Sequence, residues 1–252
     1  MRRFFTELKS INNSTATLTG PDAKHIRQVL RLEPNERIEI FDGTGTVYLS
    51  EIRSIDKHSV KVKIKQSILV QREPPFLFVA QSMLKGKKMD FLYQKLTELS
   101  VEGLYPFFSQ FSEVKPQQAK QIERWQRISL EACKQCKRPT VLQCPPPTSF
   151  EDLLNKSANF DTKIIFWEKE DAQFLSSCPQ LRGQTGSTII LLGPEGGFSD
   201  SEIKQAITHG FTTVSLGPRV LRAETAAVAA TSIVQHMLGN LNRTDTINWE
   251  CP

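Results

Sequence analysis

No apolar run in this chain of 252 residues approaches the roughly 20 residues that cross a bilayer. The first residues, Met1 to Glu7, turn polar at once and carry no signal-peptide core, so a cytoplasmic address is expected and no membrane partner. Cysteine is scarce. Five cysteines, at 133, 136, 144, 178 and 251, are an odd and scattered set that does not form a disulfide framework. Cys133-x-x-Cys136 has no second pair and no histidine at zinc spacing, so no metal is expected. Neither G-x-G-x-x-G nor G-x-x-x-x-G-K-[ST] occurs, which removes the main support for a dinucleotide or P-loop site. Internal repeats and low-complexity segments are also missing.

What remains is ordinary soluble composition, 39% hydrophobic and 23% charged, in a chain long enough for two cores. The net charge of +5 is unevenly spread: residues 1–70 carry +4, residues 71–138 carry +5, and residues 139–252 carry −4. A basic front beside an acidic back suggests a polyanion held by the first part, against a bland reading of a solvated surface.

Residues 1–72 read as a small β domain with one helix. Gly20-Pro21-Asp22 opens the helix, and Ile26, Val29 and Leu30 are expected on one face. Alternating strands follow at 37–41, 47–55 and 60–64, with Asp42-Gly43-Thr44-Gly45 as a hairpin turn. Short strands with tight turns suggest a small barrel. Lys61, Lys63 and Lys65 share one face and are read as its wet side, with an RNA face as the alternative. After the stiff Pro74-Pro75 junction, residues 73–243 alternate strand and helix, the pattern of a parallel sheet covered on both faces. Strands are expected at 76–81, 104–108, 164–167, 188–192 and 211–216. Helices are expected at 89–101, from Pro116 to about Lys137, from Ser199 to Gly210, and at 224–238. Residues 244–252 read as a loose tail.

Two glycine-proline loops carry the chemistry. The first is Leu191-Leu192-Gly193-Pro194-Glu195-Gly196-Gly197-Phe198, and the second is Leu216-Gly217-Pro218-Arg219-Val220-Leu221-Arg222-Ala223-Glu224-Thr225. Each follows a strand and precedes a helix, which puts both at the carboxyl edge of a sheet, where open α/β folds bind ligands. Ser199 stands three residues before Glu202, the spacing of a capping box. The loops hold Glu195 and Glu224 but no lysine, which suits a purine ligand with a charged, non-phosphate tail better than a triphosphate.

Read as L-G-P-E-G-G-F-S and S-L-G-P-R-V-L-R-A-E-T-A, the loops resemble those of the RsmE family. The likeness runs along the chain. His25-Ile26-Arg27-Gln28-Val29-Leu30-Arg31 resembles H-x-x-x-V-L-R. Lys85 and Gln94-Lys95-x-Thr97-Glu98-Leu99 are similar to K…Q-K-x-T-E-L-G-V, and Glu131-Ala132-x-x-Gln135-x-x-Arg138 to E-A-x-x-Q-S-x-R. Four positions depart from that pattern. Ser100 replaces a glycine, Cys136 a serine, Lys137 a common glycine, and Phe111 the arginine of a T-x-R-S element.

The resemblance implies a SPOUT-class α/β methyltransferase domain whose C-terminal chain is tied in a trefoil knot, with a PUA-like N-terminal β-barrel that binds RNA. It implies a homodimer that uses S-adenosylmethionine to methylate N3 of a uridine in 16S ribosomal RNA, free or within the small ribosomal subunit, the alternative being a non-catalytic RNA-binding protein that keeps the fold. Leu192, Gly193, Gly197, Leu216, Gly217, Leu221 and Thr225 are the implied cofactor residues. Arg222 is expected near the reacting atoms, the alternative being an ion pair to Glu195 or Glu224. Glu195 is expected to organise its loop by accepting backbone N–H groups, with a general-base role as the lesser reading. Arg2, Arg3, His25, Arg31, Lys85, Gln135 and Arg138 are the RNA candidates. His25 has packing within its small domain as an alternative, and Gln135 and Arg138 have a solvated helix face.

Overall fold

The structure, a computed structural model, describes residues 1–113, 119–181, 183 and 185–242. The expected tail and the expected helix start at Pro116 lie outside the described residues. The chain separates into two compact units. Met1–Arg72 forms one together with Cys133–Val141, and Glu73–Ala132 forms the other with the described residues from Leu142 onward. Backbone bonding explains the short addition to the first unit: the Val141 N–H donates to the Gly43 carbonyl at 3.1 Å, and Thr140 bridges Gly43 and Thr44.

In the first unit β1 (Arg3–Phe5), β2 (Ile11–Asn12), β3 (Thr15–Thr19), β4 (Arg37–Phe41), β5 (Thr46–Ile55) and β6 (Ser59–Leu69) make one sheet. Its order is β1-β4-β5-β6-β3-β2, antiparallel except where β1 meets β4. The sheet ends at β1 and β2, which form no ladder with each other among the described residues. Val60 and Val62 are buried with Leu18, Ile38 and Ile40, while Lys61, Lys63 and Lys65 face solvent, as the alternation predicts. Asp42 fastens the turn through the Thr44 N–H at 2.9 Å and the Tyr48 hydroxyl at 2.9 Å.

The helix opened by Pro21 is shorter than its pattern predicts. α1 covers Gly20–Lys24, and the chain then widens into a π-helical turn over His25–Leu30. Ile26 is buried but Val29 is 69% exposed, which corrects the expected shared face. In a π turn the bond spans five residues, so positions three apart no longer stack.

The second unit runs β7 (Phe76–Ser82), α2 (Lys88–Glu98), β8 (Gly103–Phe108), α3 (Ala119–Cys136, its end counted with the first unit), β9 (Thr148–Ser149), α4 (Phe150–Lys156), β10 (Thr162–Phe166), β11 (Ser187–Leu192), α5 (Asp200–Thr208), β12 (Thr212–Val214) and α6 (Ala223–Met237). All strands are parallel, in the order β12-β10-β11-β7-β8-β9. Ile190 and Leu192 of β11 pack with Leu92 and Leu96 of α2, Trp125 of α3, and Ala227 and Val234 of α6. Ile189 and Leu191 pack with Leu153 of α4 and Ile203 of α5 on the opposite face. Burial on both faces is why β11 reads as a continuous apolar run rather than an alternating one. No helix among the described residues is long and apolar enough to cross a membrane.

Candidate active site

Because β10, β11 and β12 are parallel neighbours, the loops leaving their carboxyl ends meet at one edge. They enclose a cavity of about 730 Å³, inside the range of about 300–1,000 Å³ typical of small-molecule sites. The first glycine-proline loop is pinned from β7: the buried Gln81 amide donates to the carbonyls of Gly193 at 2.8 Å and Leu192 at 3.4 Å. Its far end enters α5 through a complete capping box, with Ser199 and Glu202 bonded reciprocally. Glu202 also accepts the Gln110 N–H at 2.8 Å. In the second loop the Gly217 N–H donates to the Ser215 hydroxyl at 3.2 Å.

Two glycines are required here. Gly197 and Gly217 hold φ of +71° and +111°, left-handed values that an L side chain rarely adopts. A Cβ at Gly197 would meet only the carboxylate end of the exposed Glu168 side chain, so it is the left-handed backbone, not crowding, that calls for glycine there.

The third wall comes from the segment after β10, which sequence reading did not include. Phe166, Trp167, Glu168, Lys169 and Phe174 line the cavity. The segment is stitched to β12 by Trp167 N–H to Val214 at 3.1 Å and Ser215 N–H to Gln173 at 2.8 Å. Chain order hides this wall, because β10 precedes both loops in sequence but lies between β11 and β12 in the sheet. The strand at 164–167 was legible; its place in the sheet was not.

Lys88, from the start of α2, supplies the lysine that the loops lack. Its Nζ lies 2.8 Å from Glu195 Oε1 and 3.2 Å from Glu224 Oε2. Hydrogen bonding to Glu195 raises the Lys88 pKa, so the ammonium stays charged. Partial burial pushes the Glu195 carboxyl up, but Lys88 and backbone N–H donors outweigh it and hold the pKa below the ordinary carboxylate value. A carboxylate held that way is a weak base. Arg222, at the N-cap of α6, has neither Glu195 nor Glu224 as a partner and makes no ion pair among the described residues. Its guanidinium is exposed beside the cavity.

The sequence matches the family model of the RNA methyltransferase domain over residues 71–235 and that of the RNA methyltransferase PUA domain over residues 18–65. It is 31% identical to ribosomal RNA small subunit methyltransferase E of Bacillus subtilis over 251 residues, covering 94% of this chain and 96% of that protein. The chain belongs to the ribosomal RNA small subunit methyltransferase E family. The Aquifex aeolicus member is also 31% identical, across 94% of this chain and 100% of that one. Among solved structures, the Neisseria gonorrhoeae member bound to S-adenosyl methionine superposes with a TM-score of 0.83 at 34% identity, covering 94% of this chain and 98% of that chain.

The residues that the family likeness singled out fall into three groups. Leu192, Gly193, Gly197, Leu216, Gly217, Leu221, Glu195 and Arg222 all line the cavity. Thr225 does not; it sits exposed on the first turn of α6, outside the lining. Among the RNA candidates, Arg2, His25, Arg31, Lys85 and Gln135 are exposed, with Lys85 paired to Glu113 and His25 edge-on to the Phe4 ring at 6.3 Å.

Arg3 and Arg138 need correction, because both are buried. Arg3 pairs with Glu39 at 3.2 Å, lies 4.6 Å above the Phe41 ring and donates to the Lys137 carbonyl. Arg138 donates to the Thr140 hydroxyl at 3.2 Å. It does not share a helix face with Gln135, since α3 ends at Cys136 and Lys137 turns left-handed at φ +64°. These two arginines are internal struts of the first unit. The Cys133 thiol is likewise structural, donating to the Thr140 carbonyl at 3.4 Å.

Proposed function

We propose that this chain transfers a methyl group from S-adenosylmethionine to N3 of a uridine in 16S ribosomal RNA. The observation that carries the reading is the three-walled cavity at the carboxyl ends of β10, β11 and β12, built from the family's paired loops. The residues suit this cofactor. Leu192, Leu216 and Leu221 offer apolar faces for adenine, and the space where a Cβ of Gly217 would stand is open. Trp167 Nε1 is a buried donor without a partner among the described residues, available to a ligand acceptor. The lining holds four carboxylates (Glu168, Glu170, Asp171 and Glu195) and four cations (Lys88, Lys169, Arg219 and Arg222), which suits a ligand that carries charge of both signs. When bound, S-adenosylmethionine supplies an electrophilic methyl group and a neutral thioether leaving group.

The chain's own task is to place the base. In-line attack needs N3 aligned with the methyl carbon in a water-poor cleft, and such positioning lowers barriers by about 7–11 kcal/mol. The N3–H proton passes to solvent water as the base ionises, and negative charge spreads over the uracil oxygens. Arg222, at the cavity and without an ion pair among the described residues, is the donor suited to hold it. Glu195 is engaged by Lys88 and serves the loop rather than the proton.

The family's C-terminal trefoil knot and homodimer are part of this reading, as are a cytoplasmic address and an RNA-holding role for the first unit. Methylation of 16S ribosomal RNA and of small subunits from cells lacking this gene, followed by nucleoside mass spectrometry, tests it. The expected product is N3-methyluridine. No methyl on either substrate, or a methyl on another atom, overturns the reading. Arg222→Ala is expected to lower turnover by about 10²-fold while leaving cofactor affinity within about threefold.

A further inference from the structure

Lys88 stands 107 residues before Glu195 and 136 before Glu224 in sequence, yet its ammonium pairs with both carboxylates. Glu195 lies in the first loop, and Glu224 lies in the first turn of α6, which the second loop enters. Glu195 is also tied to the approach to α2 by the Lys85 N–H at 3.3 Å. Two carboxylates reached by one nitrogen at these distances sit within about 6 Å of each other, close enough to repel strongly once the cation is removed.

We infer that Lys88 is a positioning residue, a crossbar that sets the spacing of the two glycine-proline loops and so the width of the cavity. It acts through Glu195 and Glu224 and not by touching the donor. One ammonium between two carboxylates leaves a local charge of about −1, which discourages a ligand carboxylate from approaching that nitrogen. The inference rests on the proposed reading of the cavity for its effect on ligand, but the crossbar itself is a contact within the chain.

Hydrogen exchange on unliganded protein reads the crossbar directly. In Lys88→Met, amides of residues 193–198 and 215–222 are expected to exchange at least about tenfold faster, and in Lys88→Arg at near the native rate. Calorimetry then reads the ligand. Lys88→Met is expected to bind S-adenosylmethionine and S-adenosylhomocysteine at least about tenfold more weakly, and Lys88→Arg within about threefold of native. The triple variant Lys88→Met, Glu195→Gln, Glu224→Gln is expected to match the Glu195→Gln, Glu224→Gln double variant within about threefold, because no repulsion remains for a cation to offset. Unchanged exchange at both loops overturns the inference. So does a triple variant that falls below the double by as much as Lys88→Met falls below native, which would make Lys88 a direct ligand contact. Native protein that gives no heat while exchange behaves as expected overturns the reading of the cavity and leaves the crossbar standing. Thermal melting of each variant confirms that the comparison is between folded proteins.

Discussion

Lys137 and Ser100 stand where the resembling family carries glycine, and both hold left-handed backbone, at φ +64° and +59°. The glycine preference at these positions is conformational: each follows the last turn of a helix, where the chain must reverse its hand. An L side chain in that region costs about 1–2 kcal/mol, while glycine loses about 0.5–1 kcal/mol through backbone entropy. Lys137→Gly is therefore expected to stabilise the protein by about 0.5–1 kcal/mol. Calorimetric melting should show a rise of roughly 1–4 °C for a chain of this size, and a fall would sink the argument. The same left-handed turn explains why Arg138 leaves the helix face it seemed to share with Gln135. Spacing on a helical wheel has no meaning past the residue that ends the helix.

The elements most legible in the sequence were those with local chemistry. The Ser199 and Glu202 box sets the start of α5, and Gly210 at φ +85° lies just past its end. Ser199→Ala is expected to cost about 1 kcal/mol. Glu202→Ala should cost about 1–3 kcal/mol more, since it leaves the Ser199 and Gln110 N–H groups without their acceptor. Denaturant melts of the two variants check the ranking, and equal losses would show that Glu202 serves only the box. Both glycine-proline loops were legible for the same local reason. Lys88 and the wall from Phe166 to Phe174 were not, because they enter through strand order and helix approach, which no spacing within the loops encodes. The π turn at His25–Leu30 was hidden differently: its residues fit an α pattern, and only the wider hydrogen bonding turns Val29 outward.

Charge is distributed over the molecule so that residues 1–138 carry +9 and the remainder −4. With Arg3 and Arg138 buried, the cations left for RNA on the first unit include Arg2, Arg31, Lys61 and Lys63. If about four phosphates are engaged, RNA affinity should fall about 10²-fold between 50 and 200 mM salt. Arg31→Ala should shallow the log–log slope by about one, and Arg3→Ala should lower the melting temperature instead. Filter binding across a salt series separates the two outcomes, and a flat series would remove the electrostatic role of this unit. Sheet order has a consequence during synthesis. Strand β7 leaves the ribosome early, but one of its two neighbours is β11, paired from Phe76 with Ser187 through Gln81 with Leu192. At about 5–20 residues per second, the nascent chain carries that apolar edge uncovered for roughly 5–20 s. Nascent chains stalled before Ser187 are thus expected to hold β7 with one edge unpaired, and the sheet closes only once β11 has emerged.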